Sequence, residues 1–352
     1  TAMGISFGIS VSILQKNKIN GLVGDFDCFR YFELTEDGVP KKFPSFNERN
    51  VKTKPDDFKK IPGSPVAYWV SSKIVSVFDK GELLGKISIP RQGNTTTNNA
   101  KFVRDWYEVN FSRLGIGFSN LRDFIDSQKK WCPYNKGGGS IKWFGLNTNV
   151  VNWENDGFEI KSISHSVIAN SKEYFKPGIT FSTVSSSGFG FRSFDEGFIF
   201  DNKGASIFIQ GDEKYYLISL LNSKIFDATI HEISPTVSLQ PGDVAKMPVL
   251  YPEINEYHSI ITNSLLAIEK SKVNWDSYEI SWDFTQNPII RTQHPNLEQA
   301  FNTWQQQNAD AVAEMKRLEE ENNKLFIDAY GLQDELMPDV PDEQSTLTRA
   351  DR

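Results

Sequence analysis

The sequence predicts an α+β protein: a β-rich mixed domain followed by a C-terminal helical, coiled-coil-like segment. Three observations carry this reading. Between residues 137 and 210, strand-length apolar runs alternate with Gly, Asn and Ser clusters. From Leu297 to Ala329, apolar residues recur in steps of three and four. The chain has 352 residues, 39% hydrophobic and 13% aromatic, which is enough to build sizeable ring-filled cores. At this length two or three domains are expected. The expected boundaries are a β-containing segment over 1–90, a β-rich domain over 91–250, a helical segment over 251–340 and a frayed tail over 341–352.

Taken in order, Gly8–Leu14 and Asp27–Leu34 read as short strands. Residues 36–63, with Pro40, Pro44, Pro55 and Pro62, read as a loop or linker holding one short helix. Val66–Val70 and Lys73–Phe78 read as a strand and its continuation. Gly93–Ala100 (GNTTTNNA) is a polar loop without an apolar anchor, and it leads into the strand-like run Lys101–Asn110. Val150–Trp153, Ile179–Val184 and Gly197–Phe200 read as strands, and Tyr215–Lys224 as a buried helix. Ser234–Ile254 carries four prolines and reads as extended. Ile254, Tyr257, Ile261, Leu265 and Ile268 mark an amphipathic helix. In the last segment Leu297, Phe301, Trp304, Ala311, Met315, Leu318, Leu325 and Ala329 form a heptad seam. Asn308 and Asn322 fall on that seam as two polar layers. The partner of this helix can lie in the same chain or on another protein. Gly331 ends the helix.

Net charge is −7, but it is unevenly placed. Residues 298–352 hold thirteen acidic and five basic residues, and the remainder holds 32 acidic and 33 basic. The body is therefore neutral and free to carry a local basic cleft. Two widely spaced cysteines exclude a disulfide-dense scaffold and point to a reducing cytoplasm. No apolar run of eighteen residues exists, so no membrane contact is expected. The first residue is not Met, and the chain reads as one that begins in mid-protein.

Several catalytic signatures are absent from the sequence. There is no GxxxxGK[ST] phosphate loop, no GxGxxG, no GxSxG elbow and no HExxH. The closest string to the Asn-Pro-Pro-aromatic turn of an amino-methyltransferase is Asn287-Pro288-Ile289-Ile290, which lacks the second Pro and the ring. Asp156 with Glu159-Ile160-Lys161 looks superficially like a nuclease triad, but reads better as solvent-facing alternation on a strand. The four histidines stand alone and suggest no zinc site.

Four strings go beyond composition: Ile61–Trp69 (IPGSPVAYW), Phe102–Val109 (FVRDWYEV), the long block Trp131–Lys161, and Leu221–Lys224 (LNSK) followed by Pro235-Thr236 and Gly242-Asp243. With Trp275–Phe284 (WDSYEISWDF) and Tyr330–Leu336 (YGLQDEL), they resemble the C-terminal half of PglX, the adenine-specific DNA methyltransferases of BREX phage-defence systems. The resemblance spans most of residues 20–337. It implies a target-recognition region over 91–250, with the catalytic domain and its S-adenosylmethionine site lying outside this chain and no cofactor within it. This fragment alone is then expected to be inactive. Expected partners are double-stranded DNA, the parent's own methyltransferase domain, and other BREX subunits or a DNA-mimicking phage inhibitor. One departure is visible: the family tends to have Thr-Gly-Asp-Asn where this chain has Thr96-Thr97-Asn98-Asn99.

Residue chemistry supplies candidates beside the resemblance. Lys101, Lys136 and Lys142 offer positive charge to phosphates. Asn135 and Asn149 are the side-chain type that pairs bidentately with adenine. Arg104 points either at DNA or at a neighbouring carboxylate. Gly137-Gly138-Gly139 lets backbone N–H groups approach a phosphate. Arg192 ends the Ser/Gly loop from Ser185, which suits groove entry and equally suits a hairpin turn. Trp131, Tyr134, Trp143, Phe144 and Trp153 read as core.

Overall fold

The computed structural model describes residues 19, 21–28, 31–36, 39–43, 50–234 and 236–347. The strand expected over Gly8–Leu14 lies outside the described residues. The chain divides into two compact units, Thr1–Val70 and Ser71–Arg352.

In the first unit, β1 (Gly24–Phe26) pairs antiparallel with β2 (Val51–Thr53), with Phe26 opposite Val51. Phe26 stacks on Tyr68 with ring centroids 4.7 Å apart and meets Phe58 edge-on at 5.7 Å. A short 3-10 turn, Pro55–Lys60, is the one short helix expected in the linker. Asp27–Leu34 is not a strand: the ladder stops at Phe26 and Tyr31–Glu33 forms a 3-10 turn.

The second unit begins with α1 (Ser72–Lys80), where the sequence suggested a strand. Ser71 accepts from the Ile74 N–H at 3.1 Å and caps the helix. Ile74, Val77 and Phe78 recur at three and four, and the buried Val77 and Phe78 face the core. Period overrode residue type here. Then follow β3 (Glu82–Leu83), α2 (Leu84–Ile87), α3 (Asn99–Phe102), β4 (Val103–Asp105), α4 (Leu121–Asp126), β5 (Trp131–Asn135) and β6 (Asn149–Asn152). The run Lys101–Asn110 is thus divided among a helical turn, a three-residue strand and a 3-10 turn, Trp106–Glu108. Next come α5 (Glu154–Lys161), β7 (Gly178–Ser182), β8 (Phe191–Phe194), β9 (Ile199–Phe200) and β10 (Gly204–Ile207). The Asp156–Lys161 string is therefore not a strand: Asp156 and Gly157 stand at positive φ and a helical turn follows to Lys161. Lys161 pairs with Asp156 at 2.5 Å and Glu159 with Lys101 at 3.1 Å.

The chain closes with α6 (Asp212–Leu221), α7 (Lys224–Ile233), α8 (Pro241–Val244), β11 (Pro248–Val249), α9 (Ile254–Trp275), α10 (Pro288–Arg291) and α11 (Leu297–Tyr330). The helix expected over Tyr215–Lys224 breaks at Asn222-Ser223, where Ser223 caps α7 through the Ile225 N–H. Gly331 ends α11 at φ +69, a conformation glycine adopts without Cβ strain. Among the described residues, no helix is long and apolar enough to cross a membrane.

Beside the two-stranded β3–β11 pair, two larger sheets and two cores organise this unit. Antiparallel strands in the order β10-β7-β8 put Ile179, Phe181, Phe191, Ala205 and Ile207 into one core. α6, α7, α9 and α11 supply the rest of it, including Tyr216, Leu220, Phe226, Ile260, Met315 and Phe326. The second sheet, β4-β6-β5-β9, is antiparallel except for the parallel β5–β9 pair. It builds a separate core of Phe102, Phe124, Cys132, Tyr134, Val151, Trp153, Ile160 and their neighbours. Tyr134, Trp143, Phe144 and Trp153 are buried as read from the sequence, and Trp131 is half-buried. The C-terminal half of α11 finds its partners within this chain. The tail after Pro341, expected to fray, docks as far as Leu347, whose side chain is buried, and Thr346 donates to Glu319.

Candidate functional site

The loop Gly93–Asn99 is fixed by backbone pairing on both sides. Asn94 N–H donates to Phe200 O at 2.9 Å, and Thr95 exchanges bonds with Val167 at 2.8 and 3.0 Å. A Cβ on Gly93 would sit 1.8 Å from Phe200 O, so only glycine permits this approach. Thr97, where the family pattern has Gly, stands at φ +56. A β-branched residue in that region stores strain of about 1–2 kcal/mol. Asn98 accepts from Lys101 N–H at 3.0 Å and starts α3.

This loop closes over a buried polar cluster. The Tyr134 hydroxyl lies 2.5 Å from Asn94 Oδ1 and 2.7 Å from Asp201 Oδ2, and its single proton serves the carboxylate best. Burial, with the Asp201 charge second, pushes the Tyr134 phenol well above its ordinary range. Lys136 Nζ pairs with Asp201 Oδ2 at 2.6 Å and reaches Asn99 Oδ1 at 3.3 Å. Thr96 donates to the same Asn99 oxygen at 2.7 Å. Asn94 Nδ2 and Asn135 Nδ2 are buried and carry no partner. Both are donors held in the interior beside the cluster, an arrangement that costs stability unless an acceptor reaches them.

From Lys136 the chain runs along the adjoining loops. A Cβ on Gly137 would meet Lys203 O at 2.3 Å, while Gly138 opens to solvent. Ser182 donates to Gly139 O at 3.0 Å, and Ser140 Oγ lies 3.0 Å from Ser187 Oγ. Lys142 Nζ donates to Asn222 O at 3.0 Å. The Asn222 amide in turn bonds both the N–H and the carbonyl of Phe191, at 3.0 and 2.9 Å. Arg192 does not tip the Ser/Gly loop. It lies inside β8 opposite Thr180 and is 2% exposed.

The remaining candidates lie on the second sheet. Asn149 Nδ2 donates to Asp105 Oδ1 at 2.9 Å across the β4–β6 ladder, and Tyr107 donates to the other carboxylate oxygen at 2.9 Å. Arg104 pairs with no carboxylate among the described residues: its Nη1 donates to Ala100 O and Val103 O at 2.6 and 2.7 Å. Trp106 donates to Ile280 O at 2.8 Å beside the exposed rings of Tyr107 and Phe111.

The fold therefore brings Asn135, Lys136 and Lys142 onto one segment, with Lys101 on the helix next to Asn99. Arg192 lies beneath that segment, Asn149 is engaged with Asp105 across the β4–β6 ladder, and Arg104 bonds back to Ala100 O and Val103 O. Sequence reasoning missed Asn94, Asn99, Asp201 and the exposed Lys203, which carries no ion pair among the described residues. The first two lie in the polar loop it had singled out, whereas Asp201 and Lys203 gave no local signal. Among the described residues, no group of three His, Cys, Asp or Glu side chains could hold a metal. The glycine run after β5 leads into irregular chain and β6, not into a helix N-terminus. These residues do not fit the adenosine cradle of a methyl donor.

No family model matches the chain. It is 36% identical, over 96% of its length, to the adenine-specific methyltransferase PglX of Lacticaseibacillus casei (strain Zhang), covering 29% of that protein. It is 35% identical, over 74% of its length, to the adenine-specific methyltransferase BrxX of Escherichia coli O9:H4 (strain HS), covering 21%. The chain spans less than a third of the length of either relative. With that identity sustained across nearly all of its residues, the chain belongs to the PglX/BrxX family of adenine-specific methyltransferases.

Proposed function

We propose that the chain is the double-stranded DNA recognition region of an adenine-specific methyltransferase of a BREX phage-defence system. In this reading residues 91–250 contact the duplex and residues 251–340 brace them. Methyl transfer and S-adenosylmethionine binding belong to a catalytic region outside this chain. One observation supports the reading above others. Loops from three separate parts of the sequence, Gly93–Asn99, Lys136–Lys142 and Ser185–Gly190, meet edge to edge through Lys136–Asn99 and Ser140–Ser187. Apart from Ile141, their exposed residues are Asn, Thr, Ser and Gly, with Lys136 and Lys142 half-buried beside them, a side-chain set that serves phosphates and base edges. A flipped adenine costs a few kcal/mol of unstacking, which contacts to flanking DNA must supply.

Fluorescence anisotropy with a labelled duplex tests this directly. If about 4–6 phosphates are contacted, log K falls with log[salt] at a slope near −0.9 for each. Absence of binding, or affinity indifferent to salt, would overturn it.

A second reading, docking of other defence-complex subunits or of a DNA-mimicking inhibitor, has its own observation. The N-terminal half of α11 leaves Leu297 75% exposed and Phe301 38% exposed. Deleting residues 297–352 cannot test it, because Met315, Leu318, Phe326 and Ile327 belong to the main core. Polar substitution of Leu297 and Phe301 can.

A further inference from the structure

Arg192 carries a charge that nothing in its surroundings matches. Its guanidinium is buried on the face of β8 opposite the aromatic core, and its bonds to Ile141 O and Gly190 O are long, 3.4 and 3.5 Å. No carboxylate among the described residues pairs with it. Burial alone pulls its pKa down to about 10, so it remains a cation at neutral pH. A buried charge with only backbone carbonyls around it is costly.

The two carbonyls it touches end two loops that press against each other. A Cβ on Gly190 would lie 2.2 Å from Ser140 O and 2.4 Å from Ile141 O, so glycine is required for this contact. On the outer side, Gly138 and Gly188 stand at φ +105 and +91 with nothing within 4 Å of a Cβ position. The backbone N–H groups of Gly137 through Ile141 donate to no protein acceptor among the described residues. The Ser140 and Ser187 hydroxyls lie on the same two loops and bond each other at 3.0 Å.

We propose that the Gly137–Ile141 and Ser185–Gly188 loops, with Arg192 beneath them, form a seat for one phosphodiester group of the duplex. The inference rests on the DNA-recognition reading and deepens it. A phosphodiester is a compact monoanion whose free oxygens accept several hydrogen bonds, and it supplies the charge the site lacks. The exposed loops provide the contacts, and Arg192 provides the positive potential from within a low-dielectric interior.

Arg192→Met, of similar length and without charge, separates this role from a structural one. In the full chain, the seat predicts a higher Tm for Arg192→Met, together with duplex affinity about tenfold weaker and a salt slope shallower by about 0.9. Ser187→Glu, on the exposed loop, places an anion in the seat and is expected to weaken duplex binding by a similar factor even if Arg192→Met does not fold. Inorganic phosphate added to the wild type tests whether the free anion occupies the same place. A Tm rise that Arg192→Met abolishes supports the seat, and no rise limits the site to polymer phosphate if duplex binding responds. A wild type that binds duplex while both variants keep its affinity and slope overturns the inference and leaves the DNA reading intact. A wild type that binds no duplex overturns the DNA reading, and then the phosphate response alone decides whether an anion seat exists.

Discussion

The Lys136 ammonium pairs with a carboxylate, Asp201, that is 1% exposed and also accepts from Tyr134 and from the Lys203 N–H. Removing one partner of a buried pair leaves the other uncompensated. Lys136→Met is therefore expected to lower stability by about 3–5 kcal/mol in chemical denaturation. Lys101→Met, breaking an exposed pair with Glu159, should cost under about 1 kcal/mol. Equal effects would mean that the Asp201 cluster does not hold the loops together.

At the scale of elements, α11 shows how one helix can hold two roles. Asn322 lies on the heptad seam and is buried. Its Oδ1 accepts from Asn263 Nδ2 at 3.1 Å, and its Nδ2 donates to Ser219 Oγ at 2.7 Å. This polar layer ties α11 to α9 and α6 in one register. Asn322→Ala strands both partners and is expected to cost about 2 kcal/mol, read from the denaturant midpoint at unchanged m-value. Glu319 anchors the same helix to the loop region by accepting from the Trp143 indole at 2.7 Å. Toward its N-terminal end the seam leaves Leu297 and Phe301 exposed. β5 is the other pivotal element. It pairs antiparallel with β6 on one side and parallel with β9 on the other, so it joins the block Trp131–Lys161 to residues near 200.

Across the whole molecule, the β5–β9 pairing and the fit of Gly137 against Lys203 O join residues 93–161 to residues near 200. Exchanging residues 91–250 between intact family members is expected to move the methylated adenine to a new sequence, read by methylation mapping in cells. An unchanged target after such an exchange would locate base recognition elsewhere. Charge works at this scale as well. Arg317 takes up Glu314 and Glu321, Lys316 reaches Asp342, and Lys73 pairs with Asp334. Part of the acidic excess of the C-terminal segment is thus engaged in local pairs.

By itself the sequence determined the elements whose signal is local. The period of 297–329 gave α11 and its Gly331 cap, the strand-length apolar runs Val150–Trp153 and Ile179–Val184 gave β6 and β7, and the odd composition of Trp131–Lys161 gave the family. Only the tertiary structure decided what depends on contacts distant in the chain. Lys73–Phe78 became a helix because a cap and a core met its three-four spacing. Arg192 went from an imagined loop tip to a buried strand, because β8 pairs with β7 and sets it opposite Thr180. The Asp201 cluster left no trace in any local string, since Asn94, Tyr134 and Lys136 reach it only once three strands and a loop are in register. Short-range patterns fix backbone conformation, but a site assembled from residues a hundred positions apart is decided by packing.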